Sequence, residues 1–212
     1  MRQRASLIIA VVMVLVAVGG SAGWRWWHNR PPYGPEVLAA TATLSLVDQA
    51  AADAAFSPST MEQAGDGDQI FLGQVTWSRP PDPQSGSSFR VVVLDKRTRL
   101  MPGFINVTSA RPDEVAVGAD GFLDRVEKRY SWLQGIGARE VNGAYWSSGS
   151  TIVVSSVDAS PVTFAIVLRP AHPATPPEQA VASAPAAASD LLIALISVGP
   201  DGQVYWAQRL LN

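Results

Sequence analysis

The chain predicts an α+β domain, a mainly antiparallel sheet of about seven strands with two helices packed on it, behind one N-terminal transmembrane helix. Three observations predict it. After Gly65 apolar residues recur at every second position in several short runs separated by Gly, Pro, Asp and Ser. Two other segments repeat at helical spacing. The first thirty residues hold the longest uncharged apolar run, which no later segment approaches.

From Leu7 to Val18 every residue is Leu, Ile, Val, Met or Ala, and the uncharged stretch extends to Trp24, 18 residues in all. At ~1.5 Å per residue that length just crosses a hydrocarbon core. Trp24, Arg25, Trp26, Trp27 and Arg30 follow, indoles and cations interleaved as at a membrane interface. Residues 1–6 then form a basic cytoplasmic tip, 7–24 the anchor, and 25–35 an interfacial Trp/Arg and Pro-rich linker. Lipid contact is expected through residues 7–27. The competing reading is a cleaved secretory signal, with the cut after Ala22 or Gly23 and a secreted product. The Trp belt favours retention, because a mature N-terminus needs no such cluster. Absence of cysteine excludes a lipoprotein. Arg2 and Arg4 balance Arg25 and Arg30 in the positive-inside count, and the N-terminal amine tips the orientation to N-terminus inside, domain outside.

Pro31 and Pro32 cannot continue a helix, so the anchor ends there. A single domain is expected over 36–212, since about 180 residues suffice for one core and not comfortably for two. Residues 36–56 read as a helix, with Pro35 in its first turn and Val37, Thr41, Leu44, Val47 or Asp48, Ala51 and Ala55 as its stripe. Ser59 and Glu62 fit a capping box for one further turn. Strands follow at 70–77 and 89–95. Asp120 is the expected N-cap of a second helix reaching about Leu133, with Val126 and Tyr130 inward and Asp124, Glu127, Lys128 and Arg129 on the wet side. Gly135 and Gly137 stop it. Strands at 140–146, 151–157 and 162–168 come next.

Residues 170–189 are rich in Pro and Ala and too poor in large apolar side chains to pack, so they read as a disordered surface insertion. Strands 191–198 and 204–211 close the chain as a hairpin whose turn, Gly199-Pro-Asp-Gly202, puts Pro where its fixed φ suits a type I turn. The run Leu191–Ile196 is apolar on both faces, which places that strand inside the sheet with a helix over one side.

Composition and motifs exclude more than they assign. A net charge of −2 argues against nucleic acid as a partner. The chain has no cysteine for thiol chemistry or metal ligation. His28 and His172 lie at the membrane and in the insertion, so neither is held near a serine, and two histidines so placed build no zinc site. Asp66 and Asp68 begin like a calcium loop, but Ile70 stands where a third oxygen ligand is due. Gly135-Ile-Gly-Ala138 follows a helix instead of a strand and so lacks the setting of a dinucleotide loop. The Asn106-Val-Thr108 sequon matters only in a eukaryotic secretory setting. No metal and no cofactor is expected.

What remains is aromatic. Trp132, Tyr145 and Trp146 flank the glycines at 135–143, and Tyr205 neighbours Trp206 on the last strand. Adjacent strand residues point to opposite faces, so Trp132, Tyr145, Trp146 and Tyr205 form the candidate binding surface. The preferred function is a membrane-tethered, extracytoplasmic, non-catalytic domain whose partner is a protein of the cell envelope. One alternative is an envelope hydrolase using Asp113, Glu114 or Asp120. The other, on layout alone, is an accessory subunit of a secretion or pilus machine.

Overall fold

A computed structural model describes residues 33–56, 65, 67–80, 88–97, 99–118, 121–137, 139–141, 144–146, 150–168, 187–200 and 202–211, together with Gly20; for 139–141 and 144–146 it describes the backbone. The anchor apart from Gly20, the Trp/Arg belt and the capping box at 59–62 lie outside the described residues. None of the described helices is long and apolar enough to cross a membrane.

The segment expected as one helix divides into three elements. A short helix, α1 (Pro35–Leu38), ends at Ala39, whose φ of 45° turns the chain out of the helical path. Strand β1 (Thr41–Val47) follows, with Ala42 and Leu44 turned to the core and Thr41, Thr43 and Ser45 to solvent. Helix α2 (Gln49–Ala55) starts afresh at Asp48, whose Oδ1 accepts from the Ala51 backbone N–H at 2.8 Å. The helical reading fails because Thr41–Val47 alternates as well as it repeats by threes and fours. A seven-residue antiparallel register with the next strand then decides the matter.

That strand is β2 (Gln69–Thr76), followed by β3 (Ser88–Asp95), β4 (Gly103–Ser109) and β5 (Val115–Gly118). Strands β4 and β5 fall in a stretch where no element was expected. Helix α3 (Leu123–Arg129) is shorter than the anticipated 120–133: its N-cap position falls at Phe122 with no side-chain cap, so Asp120 does not serve there. A 3-10 turn, Ser131–Leu133, continues the path. The expected strand 140–146 is a small separate hairpin, β6 (Arg139–Val141) with β7 (Ala144–Trp146). Strands β8 (Thr151–Val154), β9 (Val162–Leu168), β10 (Leu191–Val198) and β11 (Val204–Leu211) complete the fold.

Instead of one sheet, the strands form two. One has the order β1-β2-β9-β4 and the other β11-β10-β3-β8-β5, nine strands between them beside the β6–β7 hairpin, with every pairing antiparallel. The sheets pack face to face over a shared apolar layer. Phe71, Val75, Phe164 and Ile166 enter it from one side, and Phe89, Val91, Val93, Ile193 and Leu195 from the other. Gly73 leaves room in β2 for the Phe164 ring, which a Cβ there would overlap.

Each outer face is also covered. Val126, Leu133 and Ile136 lie over Val92, Leu94, Leu192 and Ile196 of the five-stranded sheet. Ala52 and Phe56 lie over Ile70, Ala165 and Val167 of the four-stranded sheet. Strand β10 is therefore buried along its whole length, between a sheet and a helix, as its two apolar faces predict.

The last residues of the expected insertion belong to the fold. Ala188–Asp190 form a 3-10 turn, and Ala188 packs on the inter-sheet layer. Asp190 accepts from the Ala187 backbone N–H through its side chain (3.0 Å) and from the Lys96 N–H through its carbonyl (2.8 Å). Arg97 stands between Asp95 (2.9 Å) and Asp190 (3.8 Å), and the hydrogen bond to Asp95 raises its pKa. Residues 169–186 lie outside the described chain. Replacing 170–186 with a short Gly/Ser link while keeping 187–190 should leave the melting temperature within about 2–4 °C, the shift produced by ~1 kcal/mol at this size. A larger fall in calorimetry would show that the segment packs.

At the other end of the sheets the chain enters the domain at Tyr33. Its carbonyl accepts from Trp206 Nε1 at 2.9 Å, burial pushes its phenol pKa up, and Leu38 inserts fully into the core.

Candidate functional site

The outer flank of the five-stranded sheet gathers cations and rings from two elements. Arg129 ends α3 with its guanidinium carbon 5.4 Å from the centroid of the Tyr130 ring, and Nη1 donates to the Val204 carbonyl at 2.9 Å. Tyr130 meets Trp132 edge-on, with centroids 6.0 Å apart and an interplanar angle of 66°. Arg209 of β11 lies over Trp132 at 4.9 Å. The order is Arg129, Tyr130, Trp132, Arg209: both guanidinium groups are exposed and both rings half-buried against the apolar layer beneath α3. A guanidinium on a ring face gains cation–π attraction and loses rotamer freedom before any ligand arrives.

The row persists because the local backbone is fixed. After α3, Tyr130 leaves helical geometry at φ −126°, and the 3-10 turn carries Trp132 outward while Leu133 goes into the layer. Gly135, with φ 110°, then turns the chain against the Arg99 backbone, where no side chain would fit. Glu127 accepts from the Gly137 N–H at 2.9 Å, which holds the segment after the 3-10 turn to α3.

Of the aromatics chosen from sequence, Trp132 stands in this row. Tyr205 stands elsewhere. A bulge in β11 sets Ser197 opposite Trp206 and Val198 opposite Val204, so Tyr205 is the extra residue. Tyr205 and Trp206 both pack on the inter-sheet layer, whereas Val204 joins the outer one. Strict alternation would have sent Tyr205 to the opposite face from Trp206. Trp132 and Tyr205 thus lie on opposite faces of one sheet and share no surface. Tyr145 and Trp146 pair through their backbones with Glu140 and Arg139; their side chains lie outside the described atoms. Trp24, Arg25, Trp26, Trp27 and Arg30 also lie outside the described residues.

Sequence reasoning placed Arg129 on the wet face and Tyr130 in the core stripe, and it passed over Arg209. No local pattern connects Arg209 with Trp132, because their meeting depends on α3 crossing β11. Arg90 repeats the device deeper in the same face, 5.3 Å from the Phe122 ring, with its guanidinium also donating to the Phe89 carbonyl at 2.9 Å.

Two of the three carboxylates considered for hydrolysis are described. Asp113 is exposed on the 3-10 turn Pro112–Glu114, Glu114 faces Arg111 at 3.7 Å, and Asp120 lies outside the described residues. Asp68 caps its own turn by accepting from the Gly65 N–H. Among the described residues no group of three or more His, Asp or Glu side chains could hold a metal ion.

No family model matches the chain, and no curated protein matches it either. Among the solved structures that resemble it faintly are the following two. A cohesin module from a Clostridium perfringens family 33 glycoside hydrolase has a TM-score of 0.27 at 12% identity, covering 82% of this chain and 96% of that one. The DNA-binding domain of Cep-1, the C. elegans ortholog of p53, has a TM-score of 0.28 at 9% identity, covering 82% and 88%. Superpositions this loose define no common fold and carry no functional argument.

Proposed function

We propose that the chain is a membrane-tethered, extracytoplasmic binding domain that engages a protein of the cell envelope and performs no chemistry of its own. The tether rests on sequence: the uncharged run 7–24 and the belt Trp24, Arg25, Trp26, Trp27 and Arg30. The observation that carries the binding reading is the row Arg129–Tyr130–Trp132–Arg209, its arginines exposed and its rings half-buried, because Arg, Tyr and Trp are the residues that most often supply binding energy at protein interfaces. A rigid two-sheet scaffold presents it, in keeping with precise placement of a recognition surface.

One membrane preparation tests both halves. The full-length protein should resist carbonate extraction and retain its first residues on N-terminal sequencing; a soluble species beginning at Gly23 or Trp24 would remove the tether. A photo-crosslinking residue at Lys128, exposed beside the row, should capture an envelope protein in cells. The same residue at Thr43, exposed on the other sheet, should not. Equal capture from both positions, or none from Lys128, would remove the binding surface.

A further inference from the structure

We infer that β1 pairs edge to edge with β1 of a second copy of this chain, joining two four-stranded sheets into one; the inference stands apart from the binding reading above. The two sheets end in four outer strands, β1, β4, β5 and β11. An outer strand carries unpaired backbone N–H and C=O groups, and folds usually blunt it with charge, bulges or shortness. Three of the four are blunted in that way. Strand β5 is four residues long, β4 is bulged at Ile105, and β11 is bulged twice and bears the exposed Arg209. Strand β1 has none of these protections. Its sequence, Thr41-Ala-Thr-Leu-Ser-Leu-Val47, contains no charge, no Pro and no Gly, and its seven residues pair with β2 in unbroken register. The Thr41 and Thr76 hydroxyl oxygens lie 2.8 Å apart and pin that register at one end. In an antiparallel ladder every second residue turns its N–H and C=O away from its partner strand, so the outer side of β1 offers a straight row of donors and acceptors. Strand β11 comes alongside β1 from the other sheet, but the two form no ladder.

The occupant follows from what the strand sets opposite itself. A two-fold axis at Leu44 pairs Leu44 with Leu44, Ala42 with Leu46, Thr43 with Ser45 and Thr41 with Val47, and so uses all seven residues. Ala42 and Leu44 face the inter-sheet layer, and alternation sets Leu46 on the same side, yet Leu46 is 56% exposed. Pairing brings it beside Ala42 and, diagonally, Leu44 of the second copy. On the outer face the Thr43 and Ser45 hydroxyls meet across the axis, a pair able to hydrogen-bond. No like charges come together, because the strand has none. A foreign strand would find no charged or aromatic group on β1 to select it, whereas a second copy needs only this self-complementary register.

The chain has no cysteine, so single Cys variants of the full chain in detergent micelles report the register. Under oxidation, Thr43→Cys mixed with Ser45→Cys should form a disulfide-linked dimer about tenfold faster than Val117→Cys, which is exposed on the short edge of the other sheet. Thr43→Lys and Ser45→Lys together set like charges opposite one another at both symmetric pairs. They should weaken the dimer about tenfold in sedimentation, with an unchanged melting temperature. Mixing that variant with one carrying Thr43→Glu and Ser45→Glu should restore pairing, which a merely damaged fold would not allow. A photo-crosslinker at Thr43 should join two copies of this chain and capture no other protein. The inference is overturned if the wild type sediments as a monomer, if Thr43→Cys and Ser45→Cys link no faster than Val117→Cys, or if the Lys variant dimerises like wild type. It is equally overturned if the Glu variant fails to restore pairing or if Thr43 captures a different protein. Loss of the dimer leaves capture from Lys128 unaffected, so the two surfaces are tested separately.

Discussion

Truncation after Asp190 should abolish cooperative unfolding. It removes β10 and β11, two of the five strands of one sheet, and with them the whole partner of β3 on that side. Leu192, Ile193, Leu195, Ile196, Val198, Val204 and Trp206 are all buried, some in the layer between the sheets and some beneath α3. Burying each large aliphatic side chain contributes about 1.5–3 kcal/mol. Their loss exceeds the ~5–15 kcal/mol by which a domain is stable at all. The remaining chain would expose β3 as a long apolar edge, which invites aggregation. A graded version is Ile196→Ala, expected to cost ~2–5 kcal/mol through lost transfer energy and a cavity. Circular dichroism and calorimetry decide the matter. A truncated protein that melts sharply near the wild-type temperature would place β10 outside the core.

Gly135→Ala should be the most damaging of the conservative single changes. Gly135 holds φ at 110°, where a side chain is strained, and an added methyl group would overlap the Arg99 carbonyl oxygen. Because the obstacle is backbone, it cannot swing aside as a side-chain tip would. Arg99 is itself left-handed, at φ 58°, and its N–H donates to the Asp95 carbonyl at 2.7 Å, so the neighbouring turn has little room to move. Strain and overpacking together should cost about 2–5 kcal/mol in denaturant unfolding. Gly202→Ala is the control: its φ of 70° is also left-handed, but nothing lies within 4 Å of the new methyl group, so ~1 kcal/mol is expected. Equal midpoints for the two variants would show that the Arg99 contact is not confining.

Strands β2, β3, β9 and β11 were legible from alternation and β10 from a run apolar on both faces, because each has large apolar side chains facing a buried layer. Strand β1 was not, since small and β-branched residues satisfy two periods at once. One discriminating signal was Asp48, a poor residue mid-helix and a good N-cap, which marks the start of α2. Strand β4 hides its period behind a bulge at Ile105, which lets Phe104 and Asn106 take consecutive partners on β9. The division into two sheets was beyond local pattern, because β9 inserts between β2 and β4, and β10 between β11 and β3. The same limit applied to the candidate surface. Trp132 could be picked out as an aromatic beside glycines, but Arg209 reaches it only through tertiary packing, and the bulge that turns Tyr205 inward leaves no mark in a two-residue period.

The clasp of Asp95, Arg97 and Asp190 has a practical consequence. It fixes the residue from which β10 sets out, and β9 is fixed by its own ladder to Leu168, so both rims of the Pro/Ala segment are held independently of whatever joins them. Closing a longer connection between two such fixed points adds only ~0.6 kcal/mol for each doubling of its length. The position therefore works as a socket: an epitope or a fluorescent protein spliced between residues 170 and 186 should leave both sheets intact.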